Sequence, residues 1–131
     1  MEKEEIHIFQ THNTPEVIFS PQGIIKIKGR SLIVDNSEIP KQIMNGLEAY
    51  ISNPPEKTLV ICAMEYLNSF STTMMVSILN RLSLAILKPK KLTVRWYYEE
   101  NDEDMFELGK YISEISNIPF EFVMAYDFTG L

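Results

Sequence analysis

Residues 58–64 form an almost unbroken apolar run, which indicates a strand that is buried on both faces. Directly after it, the apolar side chains of residues 71–87 recur at helical spacing. A buried strand followed by an amphipathic helix is typical of a chain that crosses over to the next parallel strand. The centre of the chain therefore predicts an α/β fold with a mainly parallel sheet.

The segments around this centre continue the alternation. Turn residues at 21–23 separate two short strand-like segments and predict an N-terminal hairpin. Pro40 suits the first turn of a helix that ends before Pro54, and Asp102 can cap a third helix. The predicted strands are 16–20, 24–29, 58–64, 92–98 and 120–126, with helices after Pro40, over 71–87 and after Asp102.

The predicted order is therefore β-β-α-β-α-β-α-β, in one α/β domain that spans residues 1–131. We expect residues 1–5 to be frayed, as chain ends often are. With 45% hydrophobic residues the chain can bury a substantial core without disulfides. Cys62 is the single cysteine, which excludes an intrachain disulfide and a cysteine-based metal cluster.

The net charge of −6 limits the classes of partner. Nucleic acid and anionic membranes attract basic surfaces, so we expect neither as a partner. The acidic start of the chain does not resemble a signal peptide, and no apolar run is as long as a membrane span. These features predict a cytoplasmic protein whose partners are other proteins.

Residues 65–73 join the buried strand to the following helix, and they include four Ser and Thr residues: Ser69, Ser71, Thr72 and Thr73. Ser and Thr commonly cap helix N-termini, and local sequence favours that role. Capping, however, explains only one or two of the four. The alternative is a phosphoacceptor, because a phosphate there would meet unpaired N–H groups and the positive end of the helix dipole.

A second polar segment follows the strand at 92–98, where Trp96, Tyr97 and Tyr98 precede residues 99–104, five of which are acidic. Acidic side chains are favoured at a helix N-terminus, and this explanation is preferred. Carboxylates can also hold Mg²⁺ or Ca²⁺, which leaves open a small metal-dependent enzyme. The segment lacks the EF-hand pattern, and the chain contains no P-loop, dinucleotide fingerprint or nucleophile elbow. We therefore expect no metal, no cofactor and no catalytic residue.

Four motifs in this order resemble the SiaC family of bacterial regulatory phosphoproteins: IKGRS (27–31), EYLNS (65–69), VRWYYEENDEDM (94–105) and IPF (118–120). The resemblance covers about residues 15–125. It implies a fold like the anti-sigma-factor antagonist (STAS) domains and a role in partner switching. A protein kinase would phosphorylate a hydroxyl after the Asn of the turn, and a PP2C-type phosphatase would remove the phosphate. One state would bind an effector, for some members a diguanylate cyclase.

Carried onto this chain, the resemblance makes Ser69 the phosphoacceptor, with Ser71 and Thr72 as alternatives. The residues expected to contact partners are Tyr66, Asn68, Phe70, Trp96, Tyr97 and Tyr98. The chain departs from the family where the usual NTSS becomes NSFS (68–71), which places Phe70 at a small polar position. It also departs at residues 32–36, where the family commonly reads PEN. A constitutive interaction domain without a switch remains an alternative.

Overall fold

A computed structural model describes residues 4–34 and 37–131, and these residues form one six-stranded sheet and three helices. The strands are β1 (Ile6–Ile8), β2 (Glu16–Ser20), β3 (Ile24–Ser31), β4 (Lys57–Leu67), β5 (Lys91–Glu99) and β6 (Phe120–Ala125). The helices are α1 (Ile39–Ile51), α2 (Ser69–Ala85) and α3 (Glu103–Ser116). The strand order is the sequence order; β1, β2 and β3 are antiparallel, and β3 to β6 are parallel.

The predicted alternation and the predicted hairpin are confirmed, with one additional strand. β1 was missed because three residues are too short for a detectable alternation. It pairs with β2, where Ile6 lies opposite Phe19. Of the residues expected to be frayed, 1–3 lie outside the described residues, and Glu4 and Glu5 precede β1 without regular structure.

All three helices pack on the same face of the sheet. This follows from the strand order, because successive right-handed crossovers in one direction place their helices on one side. Two glycines allow the close approach: a Cβ atom at Gly46 of α1 would lie 2.6 Å from the Phe19 ring, and one at Gly109 of α3 would lie 2.5 Å from the Trp96 indole. In α2, the sulfur of Met75 lies 4.0 Å from that of Cys62.

The opposite face of the sheet is covered only in part, so the expectation that β4 is buried on both faces is partly wrong. Leu59 and Ile61 on that face are half-buried, whereas Ala63 is fully buried. The chain that follows β6 crosses this face, since the Lys28 ammonium on β3 donates to the Leu131 carbonyl at 3.0 Å. The crossing tail, and not a helix, thus protects the centre of the open face.

Candidate functional site

The parallel strands β3 to β6 end at one edge of the sheet, which we term the carboxyl edge; their last residues are Ser31, Leu67, Glu99 and Ala125. Binding sites of open α/β sheets lie outside this edge. Helix α2 begins there at Ser69, as the sequence predicts for a helix that follows β4. The hydroxyl-rich turn therefore lies at the edge where a site is expected.

Asn68 caps helix α2 and joins it to the end of β3. Its side-chain oxygen accepts a hydrogen bond from the Ser71 N–H at 2.8 Å, while its amide nitrogen donates to the Ile33 carbonyl at 3.1 Å. Its backbone N–H donates to the Ser31 carbonyl at 3.0 Å. The preferred explanation of the Ser/Thr cluster as capping residues is therefore wrong, because the amide of Asn68 serves as the cap.

Ser71 points into the protein. Its side chain is 1% exposed, and its hydroxyl lies 2.6 Å from the Ser31 hydroxyl and 3.2 Å from the Ser31 carbonyl. A kinase could reach this hydroxyl only after the start of α2 had separated from β3, which argues against Ser71 as an alternative acceptor. Thr72 is half-buried, and its hydroxyl donates to the Asn68 carbonyl at 3.0 Å. Ser69 at the first helical position is exposed.

Two aromatic side chains flank Ser69 at the surface. Tyr66 is 46% exposed and Phe70 is 36% exposed. The Arg30 guanidinium carbon lies 6.0 Å from the centre of the Tyr66 ring, at the limit of a cation–π contact. We term Arg30, Tyr66, Ser69 and Phe70 the turn surface. It combines aromatic area with the exposed serine at the helix start, a composition suited to protein contacts.

The three consecutive aromatic residues of β5 have different environments. Trp96 is buried in the core beneath α3, where its ring N–H donates to the Met105 carbonyl at 3.0 Å. The expectation that Trp96 contacts partners is therefore wrong, since the residue is enclosed by its own domain. Tyr98 is half-buried against Phe106, with ring centres 4.8 Å apart. Tyr97 lies on the opposite face of the sheet and is also half-buried.

The acidic segment caps helix α3. The Asp102 carboxylate accepts a hydrogen bond from the Met105 N–H at 3.0 Å, and two further acids lie in the first turn. Burial, together with repulsion from Glu65, Asp102 and Asp127, raises the pKa of Glu99. Within 4–34 and 37–131, no group of three His, Cys, Asp or Glu side chains is arranged to hold a metal ion. The segment thus makes the carboxyl edge strongly negative and stabilises α3.

Cys62 does not contribute to the site. It is fully buried in β4, and this burial raises the pKa of its thiol to about 12. A thiol in such surroundings is inert at neutral pH. No helix in the described part of the chain is long and apolar enough to cross a membrane.

Sequence reasoning assigned no role to Ser31 or Arg30. Ser31 was detectable in principle, because it continues the buried alternation of Ile25, Ile27 and Gly29 along β3. A hydroxyl at the end of a buried series requires a polar partner. The identity of that partner, Ser71, depends on the packing of α2 and could not be read from β3 alone.

The fold and the turn together define a class: a small α/β domain with helices on one face of a mainly parallel sheet and an exposed hydroxyl at a helix start. The SiaC family of regulatory phosphoproteins matches residues 8–125, so the chain belongs to this family. The sequence is similar to an uncharacterized protein of Pseudomonas aeruginosa strain UCBPP-PA14, with 26% identity over 124 residues that cover 94% of this chain and 98% of that protein.

The fold is also similar to solved structures of SiaC from Pseudomonas aeruginosa. One is the crystal structure of the diguanylate cyclase SiaD in complex with its activator SiaC, with a TM-score of 0.81, 24% identity, and coverage of 92% of this chain and 99% of that chain. Another is apo-SiaC, with a TM-score of 0.78, 24% identity and the same coverage. These structures establish the α/β fold of the family for this chain.

Proposed function

We propose that this protein is a non-catalytic signalling regulator that binds an effector, a diguanylate cyclase, and that reversible phosphorylation of Ser69 controls the binding. Two findings support it: the chain belongs to a family of regulatory phosphoproteins, and SiaC is the activator of the diguanylate cyclase SiaD. The observation that carries the proposal is the contrast between two hydroxyls of one turn. Ser69 is exposed beside two surface aromatics, whereas Ser71 is buried.

The domain can accept a phosphate on Ser69 without unfolding. The first N–H groups of a helix have no acceptor within the helix, and Asn68 occupies only that of Ser71. A phosphate on Ser69 would therefore lie beside N–H donors and at the positive end of the helix dipole. The modification should leave the free energy of unfolding nearly unchanged.

Phosphorylation of Ser69 should strongly weaken the binding of a partner at the turn surface. Phosphorylation adds about 1.5 to 2 negative charges between Tyr66 and Phe70. A partner that packs on these aromatics would have to remove water from the phosphate, which costs several kcal/mol unless the partner supplies a cation. The unmodified domain is therefore the form that binds the cyclase. A protein kinase adds the phosphate, and a metal-dependent PP2C-type phosphatase restores the binding form.

The test uses the full chain with phosphoserine incorporated genetically at position 69, together with the diguanylate cyclase of the same organism. Isothermal titration compares the unmodified chain, the phosphorylated chain and Ser69→Ala. The unmodified chain and Ser69→Ala should bind, and the phosphorylated chain should not. Phosphoserine at position 73 provides a matched control, because Thr73 is an exposed hydroxyl on the same helical turn. Equal affinity of all forms would contradict the proposal.

The modification itself is tested on protein purified from the native cells. Intact mass and peptide mapping should locate a phosphate on Ser69 that disappears when a PP2C-type phosphatase and Mn²⁺ are added. Phosphate found only on Thr72 would place the acceptor three residues further along α2 and contradict the assignment of Ser69. Absence of phosphate in cells under every growth condition that alters cyclase activity would favour a constitutive interaction domain.

A further inference from the structure

At the opposite end of the sheet, where the parallel strands begin, lies an open groove of about 800 Å³. We term this end the amino edge. The groove runs between the end of α2, the loop that enters β5, and the connection from α3 to β6. Its lining includes the apolar side chains of Ile86, Leu92 and Ile118. Its volume falls within the range of ligand-binding clefts, roughly 300–1,000 Å³.

The groove is basic in a chain that is acidic overall. Lys88, Lys90 and Lys91 line it, and none of its lining residues is acidic, although the chain carries a net charge of −6. The Lys90 ammonium is held at the wall, where it donates to the Pro54 carbonyl at 2.6 Å. Lys88 and Lys91 are at or near the surface. The site therefore favours an occupant that carries negative charge.

Two exposed leucines alternate in sequence with residues that line the groove. Leu84, in the last turn of α2, is 73% exposed, and Leu87, just after the helix ends, is 65% exposed. A small molecule enclosed in the groove would leave this surface uncovered. A peptide segment can fill the groove with one side chain and cover the leucines with another.

We propose that the amino-edge groove docks a segment of a partner protein in which apolar side chains alternate with Asp or Glu. The apolar side chains enter the groove and cover Leu87, and the carboxylates meet Lys88 and Lys91. α2 begins at the turn surface and ends at the groove, and its 17 residues separate the two surfaces by roughly 25 Å. The two surfaces can therefore be occupied at once, and this docking does not depend on phosphorylation of Ser69.

The probe is a phage-displayed library of random peptides, selected on the full chain. The enriched peptides should share apolar residues flanked by Asp or Glu. Fluorescence anisotropy then measures one labelled peptide against the wild type, Lys88→Glu/Lys91→Glu and Leu87→Ala. The matched control is Lys41→Glu/Lys110→Glu, which changes the net charge equally at two exposed lysines outside the groove. Circular dichroism melts verify that every variant is folded.

The groove charge reversal should weaken peptide binding about tenfold, and Leu87→Ala about threefold, while the control pair changes it less than about twofold. Amide shifts in NMR spectra should cluster around Ile86, Leu92 and Ile118. Enriched peptides without acidic residues, shifts at the turn surface, or equal weakening by the control pair would overturn the proposal. Groove shifts with the organic anion anilinonaphthalene sulfonate, but with no enriched peptide, would also overturn it, because the groove would then be a small-molecule site.

Discussion

The two edges of this sheet differ in charge, packing and chemistry. At the carboxyl edge, Asn68 and Asp102 cap helix N-termini, and carboxylates gather around Glu99. At the amino edge, lysines follow the C-terminus of α2 and leucines are left exposed. A helix dipole is positive at its N-terminus and negative at its C-terminus, so acids at one edge and lysines at the other are each favourable.

Helix dipoles explain only part of the difference between the two edges. Helix dipoles account for the acids that start α3 and for part of the lysine cluster. They do not account for Ser69 exposed between two aromatics, nor for Leu84 and Leu87 exposed at the other end. The two proposed binding surfaces depend on these exposed side chains.

The largest expected effect is a loss of binding at the carboxyl edge that leaves binding at the amino edge unchanged. Phosphoserine at position 69 should weaken cyclase binding by about a hundredfold or more, since burial of a phosphate without a cation costs several kcal/mol. The same protein should bind the groove-selected peptides with unchanged affinity. Both affinities can be measured by titration on one preparation. A parallel loss of peptide binding would show that the edges are coupled and would end the independence proposed for the groove.

The next effect concerns the stability of the carboxyl edge. Ser71→Ala removes the partner of the buried Ser31 hydroxyl and should lower the free energy of unfolding by about 1–2 kcal/mol. Urea denaturation followed by circular dichroism measures the change. Ser77→Ala is the control, because Ser77 is exposed on the same helix and should be nearly neutral. A neutral Ser71→Ala would mean that the hydroxyl pair adds nothing to the junction of β3 and α2.

A smaller and more local effect is expected at Asn68. Asn68→Asp keeps an oxygen that can cap α2 but loses the amide that donates to the Ile33 carbonyl. The cost should be about 0.5–1 kcal/mol, and hydrogen exchange should speed up in residues 32–34 while the start of α2 stays protected. Asn68→Ala, which loses both bonds, should also expose the helix start. Identical exchange in the two variants would show that the two side-chain hydrogen bonds of Asn68 do not act separately on α2 and on residues 32–34.

The smallest effect follows from the charge of the carboxyl edge. The pKa of Glu99 is raised by burial and by neighbouring acids, so the folded state binds this proton more readily than the unfolded state. Its ionised form therefore costs stability above the raised pKa, and the cost disappears as pH falls below the ordinary value of the carboxyl. Glu99→Gln should stabilise the domain by about a few tenths of a kcal/mol at pH 7 and by nothing at pH 3. Thermal melts at the two pH values measure this difference, with Glu114→Gln as an exposed control. An equal change in melting temperature at both pH values would contradict the prediction.

Much of the carboxyl edge was predictable from sequence. The position of Ser69 at the start of α2 followed from the order of a buried strand and an amphipathic helix, and Asp102 was expected to cap α3. The amino-edge groove was not predicted. Its walls come from α2, β5 and the α3–β6 connection, which are far apart in the chain.

Local pattern alone determined the element order and the parallel core, because hydrophobic periodicity acts over a few residues and selects helix or strand without long-range information. Tertiary structure decided which polar and aromatic side chains are accessible. Trp96 lies under Gly109, and Ser71 pairs with Ser31 forty positions earlier in the chain. Such assignments depend on which helix covers which strand, and packing of the whole domain settles that.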